Sequence, residues 1–199
     1  MTMNVPNLLT LGRIILAPAF LGLFMYHLND PQAWLAWLLV GIYALGEITD
    51  LLDGVLARKL HQISELGKLL DPFADVVSRL TYFLVLLLAD VLPFWFFSII
   101  LYRELGITFW RLYLVQHHVV LGANMGGKTK AWLYFVVSLL GLASWLGRPW
   151  GWGWEWEGLI NWFWNGFLIA VLAVSVGTFV NYLFSGFRRL KNQTADKIF

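Results

Sequence analysis

Long apolar runs separated by short polar segments form the main pattern of this sequence. A helix needs about 20 predominantly apolar residues to cross the hydrocarbon core of a bilayer. Six runs approach that length, at residues 8–26, 33–53, 71–92, 94–115, 131–146 and 159–184. The pattern therefore predicts an all-α integral membrane protein with six transmembrane helices, organised as one domain over residues 1–199.

The composition agrees with a membrane protein and excludes several other classes. Of the 199 residues, 59% are hydrophobic and 13% are charged, whereas a soluble domain is typically about 25% charged. The chain contains no cysteine, which excludes disulfide bonds and thiolate metal sites. Any metal ion must therefore be bound by oxygen or imidazole ligands. A formal net charge of +2 is too small to indicate nucleic-acid binding, so no nucleic-acid partner is expected.

The connections between the runs differ in their content of lysine and arginine. Those at 29–32, 90–93 and 147–157 contain a single basic residue, Arg148. The remaining connections and the C-terminal tail contain Arg58, Lys59, Lys68, Lys128, Lys130, Arg188, Arg189, Lys191 and Lys197. Since basic residues accumulate on the cytoplasmic side of a membrane protein, both termini and residues 50–75 are predicted to face the cytoplasm.

Four aspartates lie at spacings of three and four residues in the stretch 50–75. One pair ends the second apolar run and the other begins the third; the four are Asp50, Asp53, Asp71 and Asp75. Residues at these spacings share one face of a helix, and the short connection between the runs allows the two pairs to face each other. Four carboxylates of one sign repel unless cations neutralise them. Oxygen ligands suit Mg²⁺ or Mn²⁺, so a site for two divalent ions is predicted.

The aspartates have two other possible interpretations. In the first, small residues such as Gly54 and Ala57 only allow close helix packing, and the aspartates are solvated at helix ends. In the second, the aspartates line an ion path in a cation transporter. Such a path needs polar groups near the middle of the bilayer, whereas all four aspartates lie toward one predicted face.

The aspartates belong to a longer motif that resembles the signature of the CDP-alcohol phosphotransferase (phosphatidyltransferase) family. The motif has eight fixed residues: Asp50, Asp53, Gly54, Ala57, Arg58, Gly67, Asp71 and Asp75. The resemblance implies a membrane enzyme of six helices, commonly a homodimer, in the bacterial inner membrane. It also implies transfer of a phosphate-linked group from a CDP-alcohol to an acceptor hydroxyl, with release of CMP.

The same resemblance implies roles for the individual residues of the motif. The four aspartates would surround the two metal ions, and Asp75 would also act as the catalytic general base. The cytidine nucleotide would be accommodated by Gly54, Ala57, Arg58 and Gly67. In the reaction, bound metal ions would stabilise charge on the diphosphate, and a carboxylate near the acceptor hydroxyl would remove its proton.

A second polar group occurs in the first apolar run, where Asn7, Thr10 and Arg13 share one helix face. An arginine inside a membrane helix is expected to meet an anion or a carboxylate. The group is similar to the N-terminal pattern of the family, which implies a position close to the nucleotide. The alternative is that Asn7 and Thr10 cap the helix while Arg13 extends its charged end to the membrane surface.

Basic residues between 103 and 130 are candidates for a second phosphate site. They are Arg103, Arg111, Lys128 and Lys130. Guanidinium groups bind phosphate oxygens in bidentate fashion, so these residues are predicted to bind the phosphate of a phosphorylated acceptor alcohol. The alternatives are ordinary loop charge for the lysines and a structural ion pair between Arg103 and Glu104.

These basic residues and the segment 4–10 resemble the phosphatidylglycerophosphate synthase subgroup of the family. One departure is Val76, at a position where a lysine is expected. The resemblance implies CDP-diacylglycerol as the donor, glycerol 3-phosphate as the acceptor and membrane lipid as the surroundings. The alternatives within the family are inositol phosphate or serine as the acceptor, and CDP-choline or CDP-ethanolamine as a donor to diacylglycerol.

Overall fold

The computed structural model describes residues 5–59, 65–117, 119, 125–148 and 159–196, with side chains at 7–50, 70–117, 119, 129–148 and 159–192. Six α-helices lie within these residues. They are α1 Val5–Asn29, α2 Ala33–Lys59, α3 Glu65–Leu88, α4 Phe94–Gln116, α5 Met125–Gly147 and α6 Leu159–Asp196. No strand occurs in the described ranges, and the predicted all-α class is confirmed.

Four of the helices contain a segment that is long and apolar enough to cross a membrane. These segments are Asn7–Asn29, Ala33–Asp50, Thr129–Gly147 and Leu159–Asn192, in α1, α2, α5 and α6. The protein is therefore a membrane protein, as predicted. The other two helices carry more charge, including Asp71 and Asp75 in α3 and Arg103 and Glu104 in α4. The count of six spans stays a prediction.

The helices extend beyond the apolar runs that predicted them. Helix α2 continues past the run to Lys59, and α6 continues to Asp196 for a total of 38 residues. At a rise of 1.5 Å per residue, α6 is about 57 Å long, which exceeds the ~30 Å core of a bilayer. Hydropathy marks the length that suits the bilayer, whereas helical hydrogen bonding continues through the charged residues that follow the apolar run.

The chain divides into two compact units, Met1–Val91 and Leu92–Phe199. In the first unit, α1 packs against both α2 and α3. The ring of Tyr82 on α3 makes edge contacts with Phe20 of α1 at 5.3 Å and with Tyr43 of α2 at 4.9 Å between ring centroids. All three aromatic residues are buried, so this contact fixes the rotation of the three helices. The prediction of a single domain for residues 1–199 stays a prediction.

Gly46 of α2 lies directly against the hydroxyl of Tyr82, and a Cβ atom at this position would overlap it. Because the Tyr82 ring is buried between two other aromatic rings, it has little room to move. We therefore expect Gly46→Ala to destabilise the first unit by about 1–3 kcal/mol, the usual range for overpacking. The measurement is the thermal midpoint of the purified protein in detergent.

The control is Gly41→Ala on the same helix, where a Cβ atom would have nothing within 4 Å. Adding Tyr82→Phe to Gly46→Ala removes the overlapping hydroxyl and is expected to restore most of the midpoint. Equal midpoints for the Gly41 and Gly46 variants would contradict the close contact.

In the second unit, α6 packs against both α4 and α5. Where α4 and α6 meet, a glycine on each helix faces an aromatic ring of the other. A Cβ at Gly106 of α4 would meet Phe179 at 3.0 Å, and one at Gly186 of α6 would meet Trp110 at 2.6 Å. Small residues of this kind let membrane helices approach closely. Between α5 and α6, the buried hydroxyls of Tyr134 and Ser175 are hydrogen-bonded at 2.5 Å, which satisfies two polar groups inside the unit.

Candidate active site

The polar residues of α1 are buried on one side of an otherwise apolar helix. Asn7 is 2% exposed, Thr10 is fully buried and Arg13 is 4% exposed. Burying polar groups is unfavourable unless they are hydrogen-bonded or paired, so partners are needed inside the first unit. Arg13 is therefore a buried cation within the unit.

The partners of Thr10 and Arg13 are three of the four predicted aspartates. Thr10 Oγ1 donates a hydrogen bond to Asp71 Oδ1 at 2.9 Å. Arg13 Nη1 donates to Asp75 Oδ1 at 3.0 Å and also forms an ion pair with Asp50 Oδ1. The first helix thus joins the two aspartate pairs, with Asp50 on α2 and the other two aspartates on α3.

The aspartates are more accessible than the residues that hold them. The side chains of Asp50 and Asp75 are 38% and 40% exposed, whereas that of Arg13 is 4% exposed, and Asp71 is exposed. The carboxylates therefore form an open surface backed by buried residues of α1. A ligand can approach the exposed part of these carboxylates without displacing the core of the unit.

For the remaining signature residues, the structure describes the helix that carries them but not their side chains. Asp53, Gly54, Ala57 and Arg58 lie on α2, and Gly67 lies on α3. Their side chains lie outside the described residues, as does that of Lys128 on α5. The predicted roles of these residues stay predictions.

Two charged residues next to the aspartates extend the site. Glu47 on α2 is partly buried, and its carboxylate interacts electrostatically with Arg79, Asp75 and Arg13. Arg79 lies one turn beyond Asp75 on α3. The electrostatic surroundings of Asp75 therefore include two arginines and a further carboxylate.

A separate charged cluster lies inside the second unit, where Arg103, Glu104 and Lys130 are 5%, 3% and 9% exposed. Glu104 Oε1 accepts hydrogen bonds from Arg103 Nη1 at 2.8 Å and from Lys130 Nζ at 2.7 Å. Arg103 Nη2 also donates to Thr178 Oγ1 on α6 at 3.3 Å. The structure thus brings two of the four predicted phosphate-binding residues together around one carboxylate.

Arg111, the third predicted phosphate-binding residue, is exposed on α4. It lies eight residues after Arg103 on the same helix, and no contact between the two is observed within the described side chains. Thr178 was missed by the sequence analysis. Its signal was present as a pair of small polar residues, Ser175 and Thr178, inside the apolar run of α6, and the two are spaced to share a helix face.

Comparison with known proteins decides the family. The sequence model of the CDP-alcohol phosphatidyltransferase family matches residues 3–178. The chain belongs to the CDP-alcohol phosphatidyltransferase family. The family prediction made from the eight-residue signature is therefore confirmed.

Several bacterial proteins are similar to this chain. A protein of Bacillus subtilis named CDP-diacylglycerol–glycerol-3-phosphate 3-phosphatidyltransferase is 34% identical over 67% of this chain and 73% of its own length. A protein of Pseudomonas fluorescens with the same name is 28% identical over 98% of this chain and 96% of its own length. A Streptomyces coelicolor protein named cardiolipin synthase (CMP-forming) is 39% identical over 51% of this chain and 47% of its own length.

Members of the CDP-alcohol phosphatidyltransferase family generally use divalent metal ions. The spacing of Asp50 and Asp75 fits such an ion. A single cationic atom, Arg13 Nη1, contacts both Asp50 and Asp75, so these carboxylates are close enough to share a cation. Both supply hard oxygen donors, which suit Mg²⁺ or Mn²⁺. Within the described side chains, no three acidic or imidazole groups converge on one point.

Proposed function

We propose that this chain transfers the phosphatidyl group of CDP-diacylglycerol to glycerol 3-phosphate, giving phosphatidylglycerol phosphate and CMP. The observation that carries the proposal is the convergence of Asp50, Asp71 and Asp75 on Thr10 and Arg13 in a chain of this family. Its relative in Pseudomonas fluorescens, which aligns over nearly the whole of both chains, supports the choice of substrates.

The reaction is a displacement at phosphorus. The primary hydroxyl oxygen of glycerol 3-phosphate attacks the β-phosphorus of CDP-diacylglycerol, and the bond between this phosphorus and the oxygen of CMP breaks. Asp75 accepts the proton of the attacking hydroxyl as the general base. Its side chain is accessible, and its Oδ1 is oriented by Arg13. A carboxylate held in this way is positioned before the acceptor arrives.

The donor diphosphate is proposed to bind at the aspartate surface. Two Mg²⁺ or Mn²⁺ ions held by Asp50, Asp53, Asp71 and Asp75 would supply positive charge there when bound. The cytidine nucleotide is proposed to contact residues of α1 and of the α2 and α3 signature, namely Asn7, Thr10, Arg13, Gly54, Ala57, Arg58 and Gly67. The lipid part of the donor would remain in the bilayer.

The acceptor phosphate is proposed to bind the basic residues of the second unit. Arg103 and Lys130 are buried there with one carboxylate between them, which leaves a net charge of +1 for the three groups. Arg111 and Lys128 complete the proposed set. A phosphorylated acceptor uses this charge, whereas a neutral acceptor such as diacylglycerol does not. We further propose a homodimer in the bacterial inner membrane, with the site facing the cytoplasm.

An acceptor screen tests this function. The purified protein is incubated with Mg²⁺, CDP-diacylglycerol and one acceptor at a time: glycerol 3-phosphate, inositol phosphate, serine or phosphatidylglycerol. CMP release is measured together with the mass of the lipid product. We expect CMP and phosphatidylglycerol phosphate with glycerol 3-phosphate only.

The screen separates the alternatives. Cardiolipin formed from phosphatidylglycerol would instead favour the activity named for the Streptomyces coelicolor relative. CMP released with a different acceptor would overturn the acceptor assignment and leave the phosphatidyl transfer in place. If none of the four acceptors gives CMP from CDP-diacylglycerol, the proposed phosphatidyl transfer is wrong.

A further inference from the structure

Glu104 holds two cations with one carboxylate oxygen. Its Oε1 accepts hydrogen bonds from Arg103 at 2.8 Å and from Lys130 at 2.7 Å. These two cations come from different helices, α4 and α5, and Thr178 of α6 accepts a hydrogen bond from Arg103 at 3.3 Å. The carboxylate therefore joins the charged residues of α4 and α5, and Arg103 extends the cluster to α6.

Among these three groups, the cations outnumber the carboxylate. Two cations and one carboxylate sum to +1, and each of these residues is at most 9% exposed. Buried charges are stable only when other groups compensate them. In addition, Arg103 Nε is buried without a hydrogen-bond partner in the described part of the chain. The cluster thus combines a net charge of +1 among these three groups with a buried donor that an anion can use.

The net charge of the cluster matters because the acceptor phosphate is present both before and after the reaction. In the proposed reaction, the phosphate of glycerol 3-phosphate is unchanged and is still present in the product. Contacts to this phosphate therefore bind the substrate and the product in the same way. Such uniform binding lowers KM without lowering the barrier to reaction, and stronger contacts would slow product release.

We propose that Glu104 sets the affinity of this cluster for phosphate by holding Arg103 and Lys130 in place while reducing their combined charge to +1. Glu104 is a positioning residue, because it acts through the two cations and not on the reacting atoms. This inference rests on the proposed function for its acceptor. It adds that the affinity is limited so that the phosphorylated product can leave.

Glu104→Gln tests the role of the charge. Glutamine has the same shape, and its amide oxygen can still accept a hydrogen bond from both cations, but the net charge of the cluster rises to +2. We expect KM for glycerol 3-phosphate to fall by about tenfold, a change typical of one buried charge contact, and kcat to fall as product release slows. KM for CDP-diacylglycerol is expected to stay within about twofold of the wild-type value.

A binding measurement without the donor separates this inference from the proposed function. The thermal midpoint is measured while inorganic phosphate is added to the protein in detergent. The Glu104→Gln variant is expected to reach half of its phosphate-dependent stabilisation at about one-tenth of the phosphate concentration that the wild type needs. This readout holds even if the acceptor screen identifies a different phosphorylated alcohol.

Asp30→Asn is the matched control, since it changes the total charge equally at an exposed position between α1 and α2. It should leave the affinity for phosphate unchanged. A Glu104→Gln variant whose affinity for phosphate is equal to or weaker than that of the wild type would overturn the inference and favour a purely structural ion pair.

A second variant decides the question if Glu104→Gln does not fold. Lys130→Met leaves Arg103 paired with Glu104 at a net charge of zero. We expect phosphate to lose its stabilising effect on this variant. Stabilisation by phosphate equal to that of the wild type would also overturn the inference.

Discussion

Replacing Asp75 with asparagine is expected to lower kcat for CMP release by about 10²- to 10⁴-fold, the range that a general base supplies. The reason is that the substitution changes the basicity of this side chain but not its hydrogen bond. Asparagine keeps an oxygen that can accept the hydrogen bond now made by Arg13 Nη1 at 3.0 Å, so the contact between α1 and α3 is preserved. The amide cannot accept the proton of the acceptor hydroxyl. The variant should therefore fold and retain binding of CDP-diacylglycerol to within about tenfold.

Two measurements check this expectation on the same preparation: single-turnover release of CMP, and retention of radiolabelled CDP-diacylglycerol by the purified protein. Asp90→Asn is the matched control, because Asp90 lies in the turn after α3 with a φ of 55° and asparagine also tolerates this conformation. Turnover of the Asp75 variant within threefold of the wild type would remove Asp75 as the base. Loss of donor binding equal to the loss of turnover would assign Asp75 to binding.

The helices were predictable because a bilayer imposes a length on apolar segments. Four of the predicted runs correspond to helices that are long and apolar enough to cross a membrane. The helix ends were not predictable in this way. Charged residues such as those at the end of α2 and of α6 continue the helix beyond the apolar run, and hydropathy carries no signal for helical structure in polar segments.

The residues of the aspartate site could be predicted from their spacing, but their partners could not. Spacing within one helix places Asp71 and Asp75 on one face because the helical period is fixed. The contacts of Arg13 with Asp50 and Asp75 join residues 37 and 62 positions apart. They depend on how α1 is rotated against α2 and α3, which is set by the packing of the aromatic side chains around Tyr82. A single sequence does not specify that rotation.

The cluster around Glu104 shows a second limit of sequence analysis. The sequence left two interpretations of Arg103 open, a phosphate ligand or an ion pair with Glu104. The structure shows the ion pair and adds Lys130 to the same oxygen, so that two cations share one carboxylate. The two interpretations are therefore compatible, and only the three-dimensional contact with α5 makes this visible.

Replacing Arg13 with glutamine is expected to lower turnover by about 10²-fold and to lower the thermal midpoint of the protein. Arg13 is the buried cation that Asp50 and Asp75 share, so its removal leaves two nearby carboxylates to repel each other across α2 and α3. Displacement of a catalytic group by about 1 Å is enough for a loss of this size. Asp75 would lose the contact that orients it.

A titration with Mg²⁺ identifies the physical cause of the Arg13→Gln defect. If repulsion between the carboxylates destabilises the variant, a divalent ion bound to them will compensate, and Mg²⁺ should raise the midpoint of the variant more than that of the wild type. Arg188→Gln, which removes an exposed arginine of α6, is the matched control and should show neither effect. Equal Mg²⁺ responses in the Arg13 variant and the wild type would mean that Arg13 does not share its carboxylates with a metal ion. Wild-type turnover in the variant would show that the orientation of Asp75 does not depend on Arg13.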